Sequence, residues 1–339
     1  MLQIRAAAIL AAICLSIPFS AFALCFVPPR PCSWYAVHHG QPAFIGAALS
    51  EETVSDTFES GGREIHRTVQ KVTFNVEEPF DGSPKKTEVV YSEGTTNDFH
   101  FKVGERYLVY GWREKDGRIR TDKCTRTAPA TEAEEDISFL RSLPTQHGGE
   151  IFGIVRFVSP GNAIGTVAGT ITESGTDGEH KSRVSDSGLY ELSGLALGDY
   201  RETFIPDDAG TEYVSSKISL PVNGSCADSG VRLGNVPVSG SVIDDVGKPV
   251  PSSDVFLFYA LDGHYNPDVF LRTRTDAFGK FSFSRVEAAK FILAAQAANS
   301  TMTFFPSTFE SSKTAVIEIR DGTPLSGLIV RIPGSLRTN

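Results

Sequence analysis

Seven histidines, five cysteines and a handful of Asp-rich, Gly-rich turns are the residues of this 339-residue chain whose types could do chemistry. His38 and His39 are adjacent, so on a strand they point to opposite faces and cannot hold one ion from one side. His66, His100, His147, His180 and His264 stand alone, as solvated loop or surface histidines do. There is no Cys-x-x-Cys and no His beside a Cys at ligand spacing, which argues against zinc. H-E-x-x-H, G-x-S-x-G and a Walker loop are absent as well. With no recognisable catalytic constellation the chain reads as non-enzymatic, and no metal or cofactor is expected.

The turns have a structural reading. ESGTDGEH and VIDDVGK lack the alternating carboxylates of an EF-hand loop and suit hairpin turns. A longer pattern occurs twice: SDSGLYELSGLALGDY from Ser185 and TDAFGKFSFSRVEAAKF from Thr275. In each, an Asp (Asp186, Asp276) can accept from backbone N–H groups two residues on, and a Gly (Gly188, Gly279) supplies the positive φ that closes the turn. Tyr190 and Leu192, or Phe281 and Phe283, then point to one face of a strand. This repeat marks two copies of one β module.

Composition sets the frame for these elements. A chain of this length holds two or three domains. Two Met against 23 Phe, 31 Gly and 19 Pro favours sheets and turns. The net charge of −9, with no run of Lys or Arg, leaves nucleic acid an unexpected partner. At the N-terminus, Arg5, the apolar run Ala6 to Ile17, Pro18 and Ala21-Phe22-Ala23 form a signal peptide over residues 1–23. Leu24 is too bulky for lipid attachment at Cys25, and no later stretch reaches membrane-spanning length. The expectation is export to the periplasm, cell surface or extracellular space, with no membrane span after signal removal. Cys14 departs with the signal. Cys25, Cys32, Cys124 and Cys226 then meet an oxidising compartment and allow three complete pairings.

From Pro42 to Cys124, strands such as AFIGAALS, TVQKVTFNVEEPF and FHFKVGERYLVYGWRE alternate apolar and polar residues between turn signals. TEAEEDISFLRSL, from Thr131, switches to helical period, with Thr131 and Glu134 placed as a capping box. The fold class expected is therefore all-β. A small closed barrel with one C-terminal helix is expected over 24–145, and two β-sandwiches over 146–235 and 236–335. The resemblances described next imply that the barrel is OB-like and five-stranded and the sandwiches Ig-like or prealbumin-like.

VSGSVIDDVGKPVPSSDVFLFY (from Val238) and RTRTDAFGKFSFSRV (from Arg272) resemble the carboxypeptidase regulatory-like domains, which implies a β-sandwich and transfers no binding residue. AFIGAALS, FKVGERYLVYGWREKDGR, Cys124 and the acidic helix after it resemble the netrin-type barrel of tissue inhibitors of metalloproteinases. That resemblance implies a disulfide from Cys25 to Cys124, with Cys32 the alternative partner. In the inhibitors an N-terminal cysteine chelates the protease zinc. Here Ala23 stands at its place and departs with the signal, leaving Leu24 as the terminus. Protease inhibition through the barrel edge is therefore the runner-up to a binding or structural role, with a protein partner first and polysaccharide second. Among Trp34, Tyr35, Trp112, Tyr259 and Tyr265, the last sits in the polar stretch LDGHYNPD and is the ligand-surface candidate for a sugar.

Overall fold

A computed structural model describes residues 30–60, 63–92, 98–158, 164–208, 210–261, 264–298 and 300–332. Residues 1–23, where a signal peptide is expected, and Cys25 lie outside the described residues. The chain is all-β, 58% strand and 8% helix, and separates into two compact units, one of the described residues up to Trp34 with His38–Arg141, the other of Tyr35–Val37 with the described residues from Ser142 on.

The first unit is a closed barrel. β1 (Ala43–Ser60) pairs antiparallel with β2 (Arg63–Asp81), and β2 with β3 (Thr87–Ser92). β4 (Arg106–Tyr110) and β5 (Trp112–Arg113) are two runs of one strand interrupted at Gly111, and β6 is Ile119–Thr121. β3 lies parallel to β6, β6 pairs with β5, and β4 returns to β1, so the sheet closes on itself through the β4–β5 run. Gly111 makes that closure possible: a Cβ there would stand 2.8 Å from the Arg120 carbonyl oxygen and 2.7 Å from Ile119 Cγ2. A short β7 (Ala128–Pro129) adds to the β4 edge.

Alternating inward residues fill the barrel: Phe44, Val72, Phe74, Val90, Phe101, Tyr107, Val109 and Ile119. Phe74 meets Phe44, Phe101 and Tyr107 edge-on, the favoured aromatic geometry. Helix α1 (Pro31–His38) was not visible in the sequence. It buries Trp34, whose ring stacks on His38 at 3.7 Å and meets Tyr110 edge-on. Helix α2 (Glu134–Ser142) follows the barrel and buries Ile137 and Leu140. It begins at Glu134, so Thr131 lies in the preceding turn rather than at a cap.

The second unit holds two sandwiches. The first sets β8 (Gly149–Val158), β9 (Ile164–Gly165), β12 (Leu189–Leu195) and β15 (Cys226–Leu233) against β10 (Gly169–Gly175), β11 (Gly178–Arg183), β13 (Gly198–Pro206) and β14 (Glu212–Leu220). The second sets β16 (Val236–Asp244), β19 (Lys280–Val286) and β23 (Leu325–Ile332) against β17 (Asp254–Leu261), β18 (His264–Arg274), β20 (Lys290–Gln296), β21 (Thr303–Phe304) and β22 (Val316–Glu318). In each, the opening strand lies parallel beside the closing one: β8 with β15, β16 with β23.

The two sandwiches are fused. β14 pairs antiparallel with β18 from Glu212↔Arg272 to Val214↔Phe270, making one nine-stranded sheet. One apolar core runs through both, including Phe204, Tyr213, Leu233, Val236, Phe283 and Phe291. Gly234, between β15 and β16, donates its N–H to the Arg285 carbonyl at 3.1 Å. A Cβ on Gly234 would stand 2.1 Å from the Val286 carbonyl oxygen, so only glycine admits this approach. Ion pairs cross the same join: Arg272–Glu212 at 2.9 Å, Arg232–Glu287 at 3.2 Å, Arg201–Asp268 at 3.4 Å, and Arg285–Asp208. Such partly exposed pairs contribute about 0–1 kcal/mol each, so the sheet and core do most of the fastening.

Candidate functional site

The repeated hairpins are turns in both copies, built by different residues. Asp276 Oδ1 accepts from the N–H groups of Phe278 and Lys280, both at 2.8 Å, and Gly279 has φ +70°. Asp244 does the same for Val246 and Lys248 in the preceding D-x-x-G-K turn, at 3.1 and 2.7 Å. In the first sandwich the equivalent acceptor is Ser185, whose Oγ takes the Leu189 N–H at 3.0 Å, with Gly188 at φ +83°. Asp186 therefore sits one position past the acceptor, and its carbonyl accepts from Thr166 Oγ1 at 2.9 Å. A hydroxyl two residues before Ser187 replaces the expected Asp. In ESGTDGEH, Asp177 is held by His180 Nε2 and the Tyr200 hydroxyl, both at 3.0 Å.

The cysteines fall into place only in part. A disulfide joins Cys32 to Cys226, which removes Cys32 as the alternative partner of Cys124. Cys124 is disulfide-bonded too, and Cys25 lies outside the described residues. Among the described residues no group of three or more His, Cys, Asp or Glu side chains is arranged to hold a metal ion, and no helix is long and apolar enough to cross a membrane.

Tyr265 is not on a polar loop. It lies on β18, half-buried, with its ring 5.2 Å from Phe258 and 5.5 Å from Phe304. These rings belong to an aromatic cluster with Phe256 and Phe270 on the sheet face away from the sandwich core. Asn266 and Pro267 gave the segment its loop-like composition, and the register against β17 shifts there, so the strand absorbs them as a bulge.

A cleft opens where β14 and β18 diverge after their three paired residues. Its volume is about 320 Å³, and Tyr213, Val231, Tyr259, Leu261 and Phe270 line it. Both sandwiches contribute walls, and the Arg232–Glu287 pair stands at the rim with Arg232 largely exposed. Burial, then the nearby Glu287 carboxylate, pushes the Tyr259 phenol up, so it stays a neutral donor. The chemistry offered is an apolar floor, two phenols and a charged edge: a place to bind, with no nucleophile set beside a base.

Two buried charge clusters went unread in the sequence. In the barrel, Asp56 accepts from Arg118 Nη1 and Arg120 Nη2, both at 2.7 Å, and Arg120 Nε lies 2.7 Å from Glu114 Oε1. Burial alone would raise the Asp56 carboxyl, but the bonds from Arg118 and Arg120 outweigh it and hold it at about 2. In the first sandwich, Glu173 and Glu202 are direct cross-strand partners and are wholly buried. A signal existed in both strands. Glu173 stands two residues after Ile171, and Glu202 lies between Tyr200 and Phe204, so alternation puts each acid on the inward face.

No family model and no curated protein matches the chain. Solved structures resemble it at low identity. The Bacillus anthracis TIE protein is 14% identical over 86% of this chain and 51% of its own, with TM-score 0.22. Catechol 1,2-dioxygenase from Pseudomonas arvilla C-1 is 14% identical over 31% of this chain and 55% of its own, with TM-score 0.21. The Streptococcus agalactiae minor pilin GBS52 is 10% identical over 55% of this chain and 96% of its own, with TM-score 0.22. The chain spans about half the length of the first two.

Proposed function

We propose that the chain is a non-enzymatic exported binding protein of the cell envelope or extracellular space. In it a netrin-like barrel precedes two regulatory-like sandwiches, and the cleft between β14 and β18 receives a protein partner. The observation that carries this reading is the fusion of the sandwiches. A shared sheet, a shared core and the close approach at Gly234 hold both walls of the cleft in fixed relation, so little ordering cost remains at binding. Tyr213, Tyr259 and Phe270 beneath an Arg–Glu rim have the composition of a protein hot spot, an apolar centre with a polar edge. Packing of the Tyr265 ring against Phe258 and Phe304 leaves it less available for stacking on a sugar, which keeps polysaccharide second.

The D-x-x-G-K turns at Asp244 and Asp276 support the regulatory-like reading, and the parallel closure of β3 on β6 supports the netrin-like one. The same reading pairs Cys124 with Cys25, and non-reducing peptide mapping checks it: Cys124 linked elsewhere refutes that pairing. Affinity capture of envelope and secreted proteins by the mature chain, run beside Leu261→Arg, tests the cleft. Leu261 lines the cleft and is 60% exposed, so the variant should fold. A partner retained by the parent should lose at least about tenfold in affinity in the variant; equal retention would exclude the cleft. Sequencing of the mature N-terminus separates the inhibitor rival, which needs a terminal cysteine amine rather than Leu24.

A further inference from the structure

We infer that the first sandwich is closed by one proton held between the carboxyls of Glu173 and Glu202, making this sandwich a pH-responsive element of the chain. The two acids face each other across β10 and β13, each fully buried. Glu202 is supplied with donors: the Tyr190 hydroxyl donates to its Oε2, and Ser229 Oγ donates to its Oε1 at 3.0 Å. Gly153 leaves the room this needs, since a Cβ there would stand 2.4 Å from the Tyr190 hydroxyl oxygen. Glu173 has no donor for either carboxylate oxygen among the described residues. Two adjacent carboxylates in an apolar interior cannot both be ionised at tolerable cost. A protonated Glu173 donating to a Glu202 that already accepts from Tyr190 and Ser229 resolves both problems.

The surroundings offer no other compensation. Across the sandwich, β8 supplies Ile151, Gly153 and Val155, β12 supplies Tyr190 and Leu192, and β15 supplies Ser229 and Val231. Beside the pair, β13 supplies Tyr200, β14 supplies Tyr213 and Leu220, and His180 on β11 is the register partner of Glu173. His180 is half-exposed and already bonded to Asp177. Among the described residues of this sandwich no Lys or Arg is buried. Burial first, and the Glu202 charge second, push the Glu173 carboxyl up to about 9.

The sign follows from linkage. A carboxyl raised from 4.5 to about 9 on folding stabilises the fold fully below pH 4.5, and that stability is lost as pH rises toward 9. With one extra proton bound by the folded state, the folding equilibrium constant falls about tenfold per pH unit inside this window.

Hydrogen exchange with mass spectrometry on the full chain tests the inference peptide by peptide. The barrel holds both Trp34 and Trp112, so tryptophan fluorescence follows the other unit as an internal control. In the parent, protection of β10, β12 and β13 should fall steeply between pH 5 and 9 beyond the intrinsic rate change. In Glu173→Gln, whose amide can still donate to Glu202, that excess should vanish. The same pH dependence in parent and variant, or none in the parent, would overturn the inference. Should Glu173→Gln not fold, infrared difference spectra of the parent with 13C-labelled glutamate decide. A protonated carboxyl band persisting at pH 7 and lost near pH 9 supports the shared proton, and its absence at pH 7 overturns it.

Discussion

Replacing Gly234 with Ala should damage the second unit more than any exposed linker glycine could. The added Cβ would lie 2.1 Å from the Val286 carbonyl oxygen, 2.2 Å from Glu287 Cα and 2.4 Å from Glu287 N. A carbon–oxygen contact rests at about 3.3 Å, so backbone must shift by about 1 Å. Overpacking of that kind costs about 1–3 kcal/mol, and straining the Gly234 bond to Arg285 adds about 1 kcal/mol. Alanine's lower unfolded-state entropy returns about 0.4–1 kcal/mol, leaving a net loss of about 1–3 kcal/mol. With a urea slope of about 2 kcal/mol per molar, the midpoint should drop by about 0.5–1.5 M. If the substitution instead uncouples the sandwiches, the slope should fall as well, because each would then unfold alone. A midpoint unchanged within about 0.25 M, with an unchanged slope, would refute the close approach as the basis of the fusion.

Phe281→Ala should cost about 3–5 kcal/mol in chemical denaturation, since the ring is 3% exposed and packs against Phe283. Asp276→Asn should stay within about 1 kcal/mol of the parent because the amide oxygen keeps the acceptor, and Asp186→Ala should be near neutral while Ser185→Ala costs about 1 kcal/mol. Asp56 is held at about 2 against 3.8 unperturbed, so its contribution is present above pH 3.8 and lost as pH falls through about 2. Acid titration of barrel stability, followed by tryptophan fluorescence, should show on the order of 2 kcal/mol lost across that window in the parent and not in Asp56→Asn.

Much of this architecture was legible because it is local. Alternation placed Phe281 and Phe283, turn chemistry placed Gly188 and Gly279, and the acidic first turn marked the helix at Glu134. What escaped was non-local or locally ambiguous. The β14–β18 pairing rests on three residue pairs between strands about sixty residues apart, and nothing in either strand announces it. Helix α1 is short and rich in aromatics. Trp34 stacks on His38 within it, and a disulfide fixes Cys32, a partnership that spacing alone left among three alternatives. Tyr265 was misplaced because Asn266 and Pro267 mimic a loop. The inward acids Glu173 and Glu202 were visible in the alternation, but buried glutamates run against expectation and so drew no reading.

Parallel pairing of the opening and closing strands decides how each sandwich would answer a pull on its ends. Glu150 to Phe157 lies in register beside Cys226 to Leu233, and Gly240 to Asp244 beside Leu328 to Ile332. Tension entering at the start of one strand and leaving at the end of its neighbour slides the two lengthwise. The bonds between them are then stressed together rather than opened one by one as in a peeling hairpin. Forced unfolding is governed by the barrier to leaving the native state. The Cys32–Cys226 disulfide carries an end-to-end pull past the first sandwich to the start of β15, so it is the second sandwich that would meet the load and yield late and abruptly.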